Sequence, residues 1–301
     1  MNQQNAITLT TSSGETDQFA HRYVVANGIR LHCVEAGTGP LVILLHGFPE
    51  FWWSWRHQIP ALANAGFHVV APDMRGYNLS DKPKGVKNYY VNKLISDVAA
   101  LIRAFGEEKA TIAGHDWGAG VAWSFTMGYP EMLDKLVILN GPHPAKMMAG
   151  LRSRRQLRKS WYMFFFQLPW VPEFRIRRRN FEMIRKTFRV DLKRDKLSDA
   201  DLDRYVEAIS QKGALESAIN YYRAAFRAGL SGKLKKWPKI ESPVMVIWGD
   251  RDRYLGNDLA NPGTEFVSDL RLEWVPDSSH WVQVDAADRV NDLILQFIKK
   301  E

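Results

Sequence analysis

The chain has 301 residues, 46% hydrophobic and 12% aromatic, with 41 Lys and Arg against 33 Asp and Glu for a formal net charge of +8. This ordinary globular composition can bury a large core, as one α/β unit with an insertion or as two units, and its apolar runs fall far short of the stretch of about 20 residues that spans a bilayer. The single cysteine, Cys33, excludes an internal disulfide, and the lack of any Cys/His cluster at zinc spacing argues against a structural metal. Residues 1–20 are polar, with no basic segment leading into an apolar one, so no signal peptide is expected; the reading is a soluble protein of the reducing cytoplasm.

Residues 23–25 and 29–34, joined through Asn27-Gly28, have the pattern of an opening hairpin. Strands are then predicted at residues 41–45, 68–71, 110–113 and 136–139, each followed by a loop or a helix start, which argues βαβ units and a mostly parallel sheet. After Pro142 the alternation stops. Residues 145–237 read as helical, basic and aromatic, with a capping box at Ser198-Asp199-Ala200-Asp201 opening an amphipathic run over residues 202–209. Strands resume at residues 244–247 and 270–275, and a helix closes the chain over residues 290–298. The predicted fold class is α/β: a sheet-centred core over residues 20–144 and 238–301, an all-helical insertion over residues 145–237, and a tail over residues 1–19.

The densest chemical signal is Gly114-His115-Asp116-Trp117-Gly118, set between a strand pattern and a buried-helix pattern. In that strand, turn, helix context small glycines allow a sharp elbow that holds one side chain out at the top of the sheet. An Asp there also reads as a plain helix N-cap. As a nucleophile, however, a carboxylate is already ionised at neutral pH and can displace a leaving group from saturated carbon to give an alkyl ester. That chemistry opens epoxides or removes halide. Further along, Asp250 and Asp252 lie just past the strand at residues 244–247, and His280 follows the last strand and the turn Pro276-Asp277-Ser278-Ser279. The order nucleophile, acid, histidine differs from the chymotrypsin and subtilisin orders.

The other histidines read more plainly. His46 ends a strand and is expected to hold its loop by a local hydrogen bond, His115 and His143 neighbour the site, and His21, His32, His57 and His68 read as structural or solvated. The elbow architecture takes its oxyanion donors from the backbone N–H groups of Trp117 and Phe48. Opening an epoxide also needs an acid; tyrosines of the helical insertion, Tyr162 and Tyr222, are the candidates, each of which also reads as a packing aromatic.

His46-Gly47-Phe48-Pro49-Glu50, Asp73-Met74-Arg75-Gly76-Tyr77 with Ser80-Asp81-Lys82-Pro83, Gly114-His115-Asp116-Trp117-Gly118, Asn220-Tyr221-Tyr222-Arg223 and His280-Trp281 together resemble the epoxide hydrolases of the α/β-hydrolase superfamily, over residues 23–299. The resemblance is closest to the branch holding the soluble and epoxide-hydrolase-like enzymes. It implies an α/β-hydrolase core with a helical lid, conversion of an epoxide and water to a vicinal diol, and no metal or organic cofactor. It puts the nucleophile on Asp116, an oxyanion donor on Phe48 and the epoxide-binding hydroxyls on Tyr162 and Tyr222, and it favours Asp252 over Asp250 as the acid; His280, by its place in the loop after the last strand, is the expected base. One departure is Asn78, where the family more often has glycine. A haloalkane dehalogenase is the rival reading, though Phe48 stands where that family commonly has asparagine; a fluoroacetate dehalogenase would carry arginine at Trp117. A non-catalytic binding protein would be expected to lack part of this triad.

The expected partner is a small lipophilic epoxide. Fourteen Lys or Arg against three acids give 14 − 3 = +11 over residues 151–194. Because the aromatics among these charges cluster in a core-like run over residues 161–166, the segment reads as a solvated helix face and not as a nucleic-acid surface. Transient contact with a membrane surface, where a lipophilic substrate would concentrate, stays open. The oligomeric state is not legible.

Overall fold

The computed structural model describes residues 19–192, 196–230 and 237–299. The expected tail up to residue 18, the basic residues Lys193 and Arg194, residues 231–236 of the helical insertion and the last two residues lie outside the described residues.

Eight strands form one sheet: β1 (Ala20–Ala26), β2 (Ile29–Ala36), β3 (Leu41–Leu45), β4 (His68–Pro72), β5 (Ala110–His115), β6 (Leu133–Leu139), β7 (Val244–Gly249) and β8 (Leu270–Val275). Their order is β1-β2-β4-β3-β5-β6-β7-β8. β2 runs antiparallel to both β1 and β4, and the remaining pairs are parallel. The opening hairpin turns on Asn27 and Gly28, both at positive φ (51° and 75°), as a two-residue turn matched to strand twist requires. Every residue of β3, β5 and β7 is buried, the signature of strands covered on both faces.

Helices α1 (Gln58–Asn64), α2 (Val91–Ala104) and α3 (Trp117–Gly128) connect β3 to β4, β4 to β5 and β5 to β6. Between β6 and β7 the described residues hold no strand but α4 (Pro144–Gly150), α5 (Arg154–Lys159), α6 (Trp161–Phe165), α7 (Val171–Asp191), α8 (Asp199–Ser210) and α9 (Ala214–Leu230). After β8 come α10 (Val282–Asp285) and α11 (Ala287–Ile298). This is the α/β-hydrolase architecture with a helical insertion. The capping box forms as expected: Ser198 Oγ accepts from Asp201 N at 3.1 Å and Asp201 Oδ2 accepts from Ser198 N at 3.0 Å.

The helical insertion is fastened to the core by polar contacts. Trp53 Nε1 donates to Asp201 Oδ1 (2.7 Å), Tyr89 Oη donates to Ser217 Oγ (2.7 Å), and Tyr221 Oη donates to the Arg75 carbonyl (2.8 Å). Phe188 stacks on Tyr205 at 4.5 Å and meets Trp281 at 4.8 Å, tying α7 and α8 to the loop after β8. No helix of the described residues is long and apolar enough to cross a membrane.

Two features differ from the sequence reading. β5 continues through Gly114 and His115, which pair with Ile138 and Leu139, so the ladder carries to the edge of the elbow. The run at residues 161–166 is not uniformly core. Phe166 is buried, but Trp161 is 56% and Phe164 45% exposed, because α6 is a short surface helix that turns Tyr162, Met163 and Phe165 only part-way into the core.

Candidate active site

Five loops converge at the carboxyl edge of the parallel strands, where an open α/β sheet places its ligand crevice. After β3 the chain turns through Gly47 and Phe48, after β5 through Asp116, after β6 through Asn140, after β7 through Asp252, and after β8 through His280. The elbow is as tight as its glycines imply. A Cβ on Gly114 would strike the backbone of Gly118, and one on Gly118 would strike the Leu45 and His46 carbonyls. Asp116 itself takes φ 51° and ψ −114°, a conformation that costs a non-glycine residue on the order of 1–3 kcal/mol and persists where the surroundings enforce it. Its side chain makes no capping bond to α3, so the plain N-cap reading does not hold.

Asp116 is 15% exposed at its side chain, sunk beneath the insertion more deeply than a residue held out into solvent. The Phe48 N–H donates to Asp116 Oδ1 at 2.8 Å, and His280 Nε2 stands 3.5 Å from Asp116 Oδ2. The other ring nitrogen, His280 Nδ1, donates to Asp252 Oδ2 at 2.7 Å. Asp252 is in turn fixed by the amides of Tyr254 (2.7 Å) and Leu255 (2.8 Å) on Oδ1 and by Asn140 Nδ2 (2.8 Å) on Oδ2. Asp250 is exposed, and its carbonyl accepts from Asn257 at 3.0 Å; the carboxylate brought to His280 is that of Asp252.

Burial pushes the Asp116 carboxyl up, but the hydrogen bond and charge of His280, together with the Phe48 N–H, outweigh it and hold the group below the usual aspartate value. For His280, burial pushes the imidazole down, yet Asp252 and Asp116 override it and hold the group well above the usual histidine value. Both shifts describe one arrangement, an imidazolium between two carboxylates.

Two phenols from the insertion complete the chamber. Tyr162 and Tyr222 lie 5.8 Å apart at 82°, and Tyr222 sits edge-on to Phe48 (5.4 Å) and Trp117 (4.9 Å). Burial first, and the Asp116 charge second, raise both phenols well above the usual tyrosine value, so both hydroxyls keep their protons. The Trp117 amide opens α3 beside Asp116 but makes no hydrogen bond to the carboxylate in this state.

Several supporting groups lay outside the sequence reading. Glu50 Oε2 accepts from Gly47 N (2.9 Å) and His115 Nδ1 (2.7 Å), and Oε1 accepts from Gln283 Nε2 (3.0 Å). His115 Nε2 donates to the His280 carbonyl at 2.9 Å. One buried glutamate therefore joins the loop after β3, the end of β5 and α10, and through His115 braces the backbone that carries His280. Asn140 is a polar residue ending an apolar strand at the carboxyl edge, with φ 38°; that position was the available signal for it. His46 behaves as expected: burial keeps its pKa low, Nδ1 donates to Gly47 O (2.9 Å) and Nε2 accepts from Met74 N (3.0 Å). Asn78, at φ 37°, occupies a left-handed position that Asn tolerates better than most residues, and its amide donates to Asp73 Oδ2 at 2.8 Å. Among the described residues no cluster of His, Cys, Asp or Glu could hold a metal ion.

The alpha/beta hydrolase fold family matches residues 40–287. The AB hydrolase superfamily protein YfhM of Bacillus subtilis is 41% identical over 93% of this chain and 98% of its own length, and human epoxide hydrolase 4 is 38% identical over 91% of this chain and 77% of its own. Among solved structures, the epoxide hydrolase of Bacillus megaterium superposes with a TM-score of 0.84 at 33% identity, covering 93% of this chain and all of that one. The chain belongs to the α/β-hydrolase family and, within it, to the epoxide hydrolases.

Proposed function

We propose that the protein converts a small lipophilic epoxide and water to a vicinal diol through a covalent ester on Asp116. The observation that carries this reading is an ionised, half-buried carboxylate facing a paired imidazole on one side and two protonated phenols on the other. Asp116 Oδ2, the oxygen not held by Phe48, attacks a ring carbon as the ring C–O bond breaks, and the departing oxygen takes a proton from Tyr162 or Tyr222. Asp116 Oδ1 becomes the ester carbonyl oxygen, already under the Phe48 N–H. A water deprotonated by His280 then attacks the carbonyl carbon, Phe48 and Trp117 N–H groups steady the oxyanion, and the bond to the diol oxygen breaks as that oxygen takes the proton from His280, while the proton of the regenerated Asp116 carboxyl restores the phenol. Asp252 holds the imidazole and stabilises its charged form. The aromatic walls of Phe48, Phe166, Trp117 and Tyr254 favour an apolar substrate.

Halide removal is less well supported. Phe48 brings an apolar ring, edge-on to Tyr222, where a halide would need a donor. The test is turnover of styrene oxide, fatty-acid epoxides and haloalkanes, followed by a single turnover in oxygen-18 water. The expected results are diol without halide release, with label in the Asp116 carboxylate and an unlabelled first diol. Label in the first diol alone would mean direct attack of water on the epoxide and would overturn the ester route.

A further inference from the structure

The outer face of the segment that supplies Tyr162 carries an apolar patch. Trp161, Phe164, Leu168, Trp170 and Phe174 are 56%, 45%, 47%, 73% and 60% exposed, and Phe226 of α9, in ring contact with Phe164 at 6.3 Å, is 39% exposed. Isolated exposed apolar residues need no explanation, but a contiguous aromatic surface marks an interaction site. The patch is framed by cations. Arg154, Arg158, Arg175 and Arg178 are exposed, none of them has an acidic partner among the described residues, and the Arg178 guanidinium lies 5.8 Å over the Phe174 ring. The single acid between residues 151 and 181, Glu173, is buried and committed to Arg223 at 2.7 Å.

We propose that this face of the insertion docks on an anionic phospholipid surface. Tryptophan and phenylalanine settle at the headgroup level of a bilayer, and arginines beside them pair with lipid phosphates, so aromatic centre and basic frame address one partner. A second copy of the chain fits poorly. A two-fold contact would set the same unpaired cations against themselves with no exposed acid to neutralise them. Docking would hold the lid segment bearing Tyr162 against the phase in which apolar molecules concentrate. The inference does not depend on the reaction catalysed.

Co-sedimentation with vesicles tests it, comparing phosphatidylcholine alone with an equal mixture of phosphatidylcholine and phosphatidylglycerol. The protein should bind the mixed vesicles, release them as salt is raised, and leave the neutral ones unbound. Arg175→Gln with Arg178→Gln should weaken binding roughly twenty-five-fold, about fivefold for each cation lost. Trp170→Asn with Phe174→Ser should weaken it on the order of tenfold or more; Asn suits Trp170 because that residue holds φ 52°. Lys84→Gln with Lys109→Gln, exposed cations on the core, should leave binding unchanged, and thermal unfolding of each variant reports that its fold is intact. Failure to bind mixed vesicles, equal binding to neutral ones, or an equal loss in the Lys84 and Lys109 variant would overturn the proposal. So would a concentration-dependent dimer that Phe174→Ser dissociates while vesicles stay unbound.

Discussion

His280 Nε2 faces Asp116 Oδ2 at 3.5 Å while its Nδ1 is held by Asp252 at 2.7 Å, so the base proposed for the second step rests between two negative charges. Its raised pKa depends on both. Esterification of Asp116 removes one of them, the imidazole loses its proton more readily, and it becomes a competent base only once the ester has formed. The lowered pKa of Asp116 keeps the nucleophile ionised into the acid range, whereas ester hydrolysis needs neutral His280 and so fails first as pH falls. The ester should therefore make up a larger share of the enzyme at roughly pH 6 than at roughly pH 8. Acid-quenched samples weighed by mass spectrometry check this, and an ester share that rose with pH would contradict it.

His280→Gln should still open the epoxide but stall at the ester, because alkylation needs only Asp116 and a phenol. An adduct of substrate mass on the intact protein is the expected reading. Asp252→Asn should slow the same step, since it loses the charge that stabilises the imidazolium, while Asp250→Asn should leave turnover near that of the native protein. Equal damage from the two asparagine changes would mean that Asp252 acts through loop structure and not through His280.

Glu50→Gln tests the brace behind the triad. Burial pushes this carboxyl up, but His115 and the Gly47 amide hold it below the usual glutamate value. Removing the charge weakens the Glu50–His115 contact and with it the support of the His280 carbonyl. Ester hydrolysis should slow, with its pH midpoint displaced, and ring opening should change less. A uniform fall in both steps would point to general loss of fold instead.

Much of this site was legible along the chain because each piece sits where a strand pattern ends. The residues 41–45 and 270–275 patterns match β3 and β8, and Asp116, Asp252 and His280 each follow such a strand. What could not be read were pairings across distance: Glu50 meets His115 across 65 positions, and nothing local in either segment announces the other. The insertion hid its polarity for a different reason. An apolar, mostly aromatic run suggests burial, yet on a helix residues 162 and 166 share one face while 161, 164 and 168 share another; the spacing held the signal, and composition masked it.

The lid phenols separate epoxide from halide chemistry. A halide leaves unprotonated, so the hydroxyls would matter little to its departure, while an epoxide oxygen needs a donor in the first transition state. Loss of one preorganised donor costs about 2.7–4 kcal/mol, roughly a hundred- to thousandfold in rate, and sharing between Tyr162 and Tyr222 softens each single change. Tyr162→Phe and Tyr222→Phe should each slow ring opening at least roughly tenfold, and the double variant should be nearly inactive. Pre-steady-state ester formation measures the step directly; wild-type rates in the double variant would remove the phenols from the mechanism.

Asp191, at the end of α7, lies at the seam between lid and triad. Its side chain is 2% exposed and 3.1 Å from the Arg253 guanidinium, and Oδ2 has no hydrogen-bond partner. Burial pushes its pKa up to about 6. The charge and backbone N–H of His280 and, last, the Arg253 charge pull the other way without overcoming burial and the like charge of Asp252. A carboxyl whose folded pKa lies above its unfolded one binds more protons when folded, so its contribution to stability falls as pH rises from about 4 to about 6 and stays lower above that range. A rise of about two pKa units corresponds to about 3 kcal/mol. Asp191→Asn keeps the shape and removes the titration. Denaturant unfolding at roughly pH 4 and pH 7 should therefore show a change in stability between the two that is smaller in the variant than in the native protein by up to about 3 kcal/mol, with the variant as stable or more stable at the higher pH. If Asp191→Asn instead destabilised the protein most at neutral pH, the attraction of His280 and Arg253 would outweigh burial, and Asp191 would be a clasp between lid and core held by charge.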